Sequence, residues 1–270
     1  MTTLPSSLAE AAKAVLLTNN AEEKARKSLE TAAHWSNGTI VAIGISNPPD
    51  RPGRPEKPQL LAPYDVPRRK INRGTAGRIA LLHALSHIEL NAVDLAWDII
   101  LRFANADLPR AFFDDWVLVA GEEARHFKLL SDRLTDFDTA YGELPAHDGL
   151  WDAATETRHD LAARLAIVPL VLEARGLDVT PMMIDKLRGV DDDISADILE
   201  TIYRDEIGHV RIGKRWFVFE CERRAQDPET LWRDLVSLHF RGDLKPPFNV
   251  DARNQAEFPE GWYTNLMAGE

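Results

Sequence analysis

The chain has 270 residues, of which 44% are hydrophobic and 28% charged, a composition typical of a soluble globular protein with enough length for a sizeable core. With 43 acidic and 32 basic residues the net charge is -11, which repels phosphate backbones and argues against a nucleic-acid partner. The apolar stretches are far shorter than the roughly 20 residues that span a bilayer, and no basic segment precedes one near the N-terminus, so we expect a cytoplasmic protein without a membrane segment.

The region 1–72 is predicted to hold two helices followed by a proline-rich strap. A helical pattern runs from Ser6 to Trp35 with a break near Asn19 and Asn20. Seven prolines between Pro48 and Pro67 then exclude a helix interior. We expect this segment to lie extended on the surface of the fold, and a flexible interdomain linker is the alternative. The side chains expected to anchor it are Leu60, Leu61 and Tyr64.

The region 73–225 is predicted to be an antiparallel four-helix bundle, because four long amphipathic segments follow one another with short connections and almost no strand signals. Their expected bounds are Thr75–Asn105, Arg110–Phe137, Trp151–Gly176 with a resumption from Thr180-Pro181 to about Leu187, and Ile194–Arg224. The fourth segment carries the single cysteine, Cys221, which we expect to be a buried small hydrophobe.

The region 226–270 is predicted to be a short helix, Pro228–His239, followed by an irregular tail rich in Pro, Gly and Asn. The fold class is therefore all-α. We interpret the whole chain, 1–270, as one domain.

Two of the predicted helices carry a Glu-x-x-His pair on their inward face. In the second helix, Glu123 and His126 lie in a row of otherwise apolar residues at steps of three and four. In the fourth helix, Glu206 and His209 lie in a row of the same kind. A lone carboxylate in an apolar core costs several kcal/mol, so these residues must share a proton, pair with cations or bind a metal.

A repeated spacing favours a metal. Glu89, in the core stripe of the first helix, precedes Glu123 by 34 positions, and Glu173, in the third helix, precedes Glu206 by 33. One Glu from each of two helices and a Glu-x-x-His from each of the others is the ligand set of a dinuclear iron or manganese carboxylate site. The predicted ligands are Glu89, Glu123, His126, Glu173, Glu206 and His209. A buried salt-bridge network without metal is the alternative.

Other polar residues near these positions receive supporting or structural roles. Glu122, Asp205 and Arg125 are predicted to support the ligands, for example by Asp205 accepting a hydrogen bond from His126, and surface salt bridging is the alternative. His83 and His87 are interpreted as structural or rim residues. A third pair, Glu156 and His159, is interpreted as the solvated start of helix three.

Six sequence segments resemble an uncharacterised bacterial ferritin-like family, domain of unknown function 455. They are HIELNAVDLAWD, EEARHF, EARGLDVTP, DEIGHVRIGKRWF, RPGRPEKP and KPPFN, and the resemblance extends over nearly all of the chain. The resemblance implies a ferritin-like bundle of the dimetal-carboxylate superfamily, whose members store iron, make radicals, or hydroxylate or oxidise organic substrates. The tRNA-modifying hydroxylases are a more distant likeness, and the acidic charge does not favour their substrate.

The expected function is a dioxygen-dependent oxidase or hydroxylase that acts on a small molecule with two divalent transition metals, iron favoured over manganese. A metal-binding or storage protein without catalysis is the alternative, and a scaffold with a vestigial site is a third. The sequence does not identify the electron donor, and the protein is a candidate homodimer. The candidate aromatic residues for a substrate pocket or for electron transfer are Trp97, Trp116, Trp216 and Phe217, and core packing is the alternative for each. The candidate cations for binding an anionic substrate are Arg68, Arg69, Lys245 and Arg253, and an ordinary surface charge is the alternative for each.

Overall fold

A computed structural model describes residues 5–66, 74–105 and 107–264. Every regular element in these ranges is a helix, which confirms the all-α prediction, and the strand-like pairing seen there is one isolated bridge between Leu60 and Ala146. The backbone forms two compact units, 1–151 and 152–270. The predicted boundary between 72 and 73 lies outside the described residues, and the single domain remains a prediction.

The first unit contains four helices, and capping side chains mark the starts of the first two. They are α1 Leu8–Leu16, α2 Ala21–Ser36, α3 Thr75–Arg102 and α4 Arg110–Thr135. The Ser7 hydroxyl accepts the N–H of Glu10, and the Asn20 side chain accepts that of Glu23. The predicted break near Asn19 and Asn20 is confirmed.

Helices α3 and α4 form a hairpin, α1 packs on α3, and α2 packs on α4. Among the described residues α3 alone is long and apolar enough to cross a membrane, but 72% of its most apolar stretch is buried, as in the core helix of a globular protein. A buried hydrogen-bond relay ties three helices together: Trp97 Nε1 donates to Ser28 Oγ over 2.7 Å, and that hydroxyl donates to the Ala120 carbonyl over 2.8 Å. Trp97 is therefore a packing residue of this core.

The described part of the proline-rich segment, up to residue 66, lies against the first unit through its backbone. The Gly53 N–H donates to the Leu16 carbonyl over 2.7 Å, and the Leu61 N–H donates to that of Ala146 over 2.8 Å. The expected anchors are wrong in two cases, because Tyr64 is 87% exposed and Leu60 40% exposed. Pro52 and Pro58 are the buried side chains instead. Arg68 and Arg69 lie outside the described residues.

The second unit holds most of the remaining helices, and α5, Gly149–Glu156, crosses the division between the units. They are α6 Leu161–Ile167, a π-helical segment Val168–Glu173, α7 Ala174–Arg188, α8 Asp193–Arg223, α9 Pro228–His239, α10 Val250–Gln255 and α11 Glu260–Thr264. Helix α8 packs on α7, on α6 and on the π-helical segment. The predicted fourth helix and the short helix after it are confirmed to within one residue.

The predicted third helix is interrupted at a different place from the one expected. The break falls at 157–160, where the Asp160 carboxylate caps α6, and not after Gly176. Pro181 lies inside α7 although it has no N–H to donate to the Leu177 carbonyl. The side-chain amide of Asn249 donates to that carbonyl instead, over 3.1 Å, so the helix continues without an unsatisfied group.

A tight contact in the second unit lies between the π-helical segment and α8. A Cβ at Gly213 would overlap the ring carbons of the buried Pro169, so only glycine lets the two backbones approach so closely. Pro169 lies at the start of a π-helical turn that leads directly into Glu173.

The expectation of an irregular C-terminal tail is wrong for α10 and α11. Arg253 of α10 is buried and donates to both carboxylate oxygens of Asp178, over 2.9 and 2.7 Å. Its guanidinium lies over the rings of Phe248, Phe258 and Tyr263, at 4.3 to 5.4 Å from their centroids. This ion pair and the aromatic rings around it supply the burial that orders the tail. Arg253 is therefore not a receptor for an anionic substrate, and Lys245 is exposed.

Candidate metal centre

In the first unit three predicted ligands meet in the core. Glu89 comes from α3, and Glu123 and His126 come from consecutive turns of α4. His126 Nδ1 lies 3.3 Å from Glu89 Oε2 and 3.5 Å from Glu123 Oε2. Their ligand atoms all lie within 4.8 Å of one another, which is close enough for a common metal ion.

The surroundings of this triad favour a bound cation. All three residues are buried, with side-chain exposures of 0 to 6%. Burial raises the pKa of Glu89 well above its usual range, and the charge of Glu123 raises it further, while the hydrogen bond from His126 opposes the shift. Two carboxylates and an imidazole in a dry core are a donor set for iron, manganese or zinc, and a divalent ion there would offset both negative charges. The residues present therefore fit a metal.

The second unit carries the other predicted triad on elements that pack together. Glu206 and His209 lie on α8, with His209 Nδ1 3.4 Å from Glu206 Oε1. His209 is fully buried and Glu206 is 14% exposed. Glu173 is the last residue of the π-helical segment, which packs on α8. A π-helical turn shifts the register of a helix. Glu173 therefore takes a position around the helix that another residue would have in a regular α-helix.

The family comparison accounts for nearly the whole chain. The model of the family described as "Protein of unknown function (DUF455)" matches residues 17–264. The chain belongs to this family. A curated relative from Haemophilus influenzae, titled "Uncharacterized protein", is 43% identical over 211 residues, which cover 76% of this chain and 73% of the relative. No solved structure gives a significant match.

The predicted supporting residues of this DUF455 chain lie at different depths. Arg125 is exposed on α4, and Glu122 on the same helix and Asp205 on α8 are half-buried. Their role as supports of the ligands remains a prediction, as does the joint use of all six ligands. Trp116, Trp216 and Phe217 are buried, in agreement with core packing.

His83 and His87 have structural contacts in the first unit, as expected. His83 Nε2 accepts the N–H groups of Gly142 at 2.9 Å and Leu144 at 3.3 Å. His87 is paired with the Tyr141 hydroxyl at 2.8 Å and the His147 carbonyl at 3.0 Å, and burial lowers its pKa to about 4. Both rings therefore hold the loop that follows α4.

Sequence reasoning missed a second set of buried polar residues in the DUF455 chain. Lys24 and Asp94 form a buried ion pair, and Lys24 Nζ also donates to the Gly53 carbonyl over 2.8 Å. Burial lowers the pKa of Lys24 and raises that of Asp94, and their mutual attraction acts in the opposite direction on each. The signal was present in the sequence as polar residues at steps of three and four along α3. They are His83, His87, Asn91, Asp94 and Asp98.

Proposed function

We propose that this DUF455 protein is an oxidoreductase of the ferritin-like dimetal-carboxylate type, which uses dioxygen on a small molecule and holds two divalent metal ions, iron rather than manganese. The observation that carries the proposal is the buried triad of Glu89, Glu123 and His126, whose ligand atoms lie within 4.8 Å of one another. Two carboxylates buried beside an imidazole are costly to keep charged, and a bound cation would offset that cost.

The full proposed ligand set adds Glu173, Glu206 and His209 of the second unit. Its support is the repeated spacing, in which a glutamate precedes a Glu-x-x-His pair by 34 and by 33 positions, and the short distance between Glu206 and His209. Four carboxylates offset the charge of two divalent ions, and two imidazoles leave open positions for dioxygen. When reduced, such a metal pair supplies the electrons that dioxygen needs to become an oxidant.

The chain itself supplies a dry site and controls its protons. Because burial and Glu123 raise the pKa of Glu89, this carboxyl keeps its proton to a higher pH than an exposed glutamate does when no cation is present. A ligating carboxylate must lose that proton, so metal uptake is expected to release protons and to weaken as the pH falls. The complete burial of His126 keeps bulk water from its imidazole.

The remaining parts of the proposal follow from the sequence. They are a single ferritin-like bundle, the proline-rich strap as a cover for the site, an external electron donor, a cytoplasmic location and a homodimer. The strap is supported by the backbone hydrogen bonds of Gly53 and Leu61 to the first unit. A soluble protein is supported by the burial of α3.

The test is anaerobic loading of metal-free protein with Fe²⁺, followed by measurement of bound iron and of dioxygen uptake. We expect two ions per chain in the wild type and uptake of dioxygen on exposure to air. Glu123→Gln keeps the shape of the side chain but removes a ligand charge, so iron binding should fall at least about tenfold. Asp132→Asn, on an exposed face of the same helix, is the matched control and should behave as wild type.

Three outcomes decide between the functions. Two bound ions and dioxygen uptake, both lost in Glu123→Gln, support the oxidoreductase. Stable ferrous protein in air, or an assembly of about two dozen subunits, would favour the metal-binding or storage alternative. Failure of the wild type to retain any transition metal would refute the proposal and leave a vestigial site.

A further inference from the structure

The third Glu-x-x-His pair of the chain, Glu156 and His159, is not used by the proposed centre. Glu156 ends α5, and His159 lies in the turn that separates α5 from α6. Both side chains are exposed, with Glu156 49% accessible, as expected for a solvated helix end. The chain folds so that a third residue of ligand type, His239 at the end of α9, lies beside them.

Two measured distances place these three residues close to one another. His239 Nδ1 lies 4.0 Å from Glu156 Oε1, and the ring centroids of His239 and His159 are 5.7 Å apart. With Zn–N bonds of about 2.0–2.1 Å, two imidazoles on one tetrahedral ion have ring centroids roughly 5 Å apart. Exposed side chains such as Glu156 and His159 can close the small difference by rotation about their own bonds.

An independent observation is the burial of the His239 ring without a hydrogen bond to its Nδ1. Its side chain is only 8% exposed, and its buried Nδ1 has no hydrogen-bond partner. A buried ring nitrogen normally has a partner, and the lack of one destabilises the fold. The Glu156 carboxylate lies 4.0 Å from this nitrogen, which is too distant for a hydrogen bond. The nitrogen therefore lacks the partner that a bound ion would supply.

From this geometry we infer a second, mononuclear metal site made of Glu156, His159 and His239. Two imidazoles and one carboxylate with positions left for water form a donor set for a divalent late transition-metal ion, Zn²⁺ in the first place. The site uses none of the six ligands of the proposed dinuclear centre and does not depend on it. Its effect is to link the turn at 157–160 to the end of α9, so the ion acts as a structural clamp within the second unit.

The test compares Zn²⁺ binding by the wild type, His159→Asn and His34→Asn. His159 is exposed, so its replacement leaves folding intact, and His34 on α2 is the matched control. We expect the wild type and His34→Asn to bind one Zn²⁺ more per chain than His159→Asn. A thermal midpoint that Zn²⁺ raises in the wild type should rise less in His159→Asn, because that variant loses part of the stabilisation by mass action.

A second measurement identifies the ligands directly. In NMR spectra with labelled histidine, Zn²⁺ should shift the ring signals of His159 and His239 together and should leave that of His34 in place. The same experiment on Glu123→Gln should give the same shifts, so a failure of the dinuclear centre is distinguishable from a failure of this site. Equal Zn²⁺ stoichiometry in wild type and His159→Asn, or unmoved signals of His159 and His239, would overturn the inference.

Discussion

Gly213 offers a sharp test of how the second unit is packed. A Cβ at this position would overlap the Cβ and Cγ of Pro169, whereas a Cβ at Gly208, on the same helix, would meet no atom within 4 Å. Gly213→Ala must therefore push α8 away from the π-helical segment, while Gly208→Ala only restricts the backbone of the unfolded chain. The two variants introduce the same methyl group into the same helix.

The opposing contributions can be compared in free energy of unfolding. Overpacking of a close contact costs about 1–3 kcal/mol, and the upper part of that range applies because the ring carbons of Pro169 are fixed to its backbone. Both variants gain about 1 kcal/mol from replacing a helical glycine with alanine. Gly213→Ala should therefore be less stable than wild type by about 1–2 kcal/mol, and Gly208→Ala more stable by about 1 kcal/mol.

The assay is thermal unfolding followed by circular dichroism. At about 2–4 °C per kcal/mol, the two midpoints should differ by roughly 4–12 °C. His209 lies one turn before Gly213, and Glu173 lies four residues after Pro169, so Gly213→Ala should also lower iron retention when Gly208→Ala does not. Equal midpoints for the two variants would refute the close approach of these backbones.

Three other substitutions or reactions probe the packing. Ser28→Ala should destabilise the protein by about 1–3 kcal/mol in urea unfolding, because the buried N–H of Trp97 loses its acceptor, and an unchanged midpoint would contradict the relay. Arg253→Met should cost about 3–5 kcal/mol by the same assay, because the buried Asp178 carboxylate loses both hydrogen bonds from the Arg253 guanidinium, and a neutral effect would contradict that pairing. Burial raises the pKa of Cys221 to about 11, so its reaction with a disulfide reagent at pH 8 should be at least about 100-fold slower than in urea-unfolded protein, and rapid native labelling would show an accessible thiolate.

The helix starts and the inward register of the ligands could be predicted because local chemistry determines them. Ser7 and Asn20 accept N–H groups at the starts of α1 and α2, where their residue types predict a cap. Glu123 and His126 are buried at the steps of three and four that define the apolar face of α4. Each of these features depends on residues within one or two helical turns.

Features that depend on distant parts of the chain were missed. The buried position of Arg253 comes from Asp178, which is 75 residues away, and no local pattern distinguishes this arginine from a surface charge. The approach of His239 to Glu156 likewise depends on how α9 packs in the second unit. The proline content of the tail predicts breaks in regular structure. It does not indicate the burial of aromatic rings that orders the short helices between those breaks.

The substitute hydrogen bond at Pro181 has a consequence for how the family varies. The amide of Asn249 serves the Leu177 carbonyl where proline cannot, while its side-chain oxygen caps α10 by accepting the N–H of Ala252. A relative that keeps proline at 181 would therefore need a side-chain donor from the tail. A relative with an ordinary residue at 181 would meet that carbonyl with its own N–H, and asparagine at 249 would then be kept for the cap.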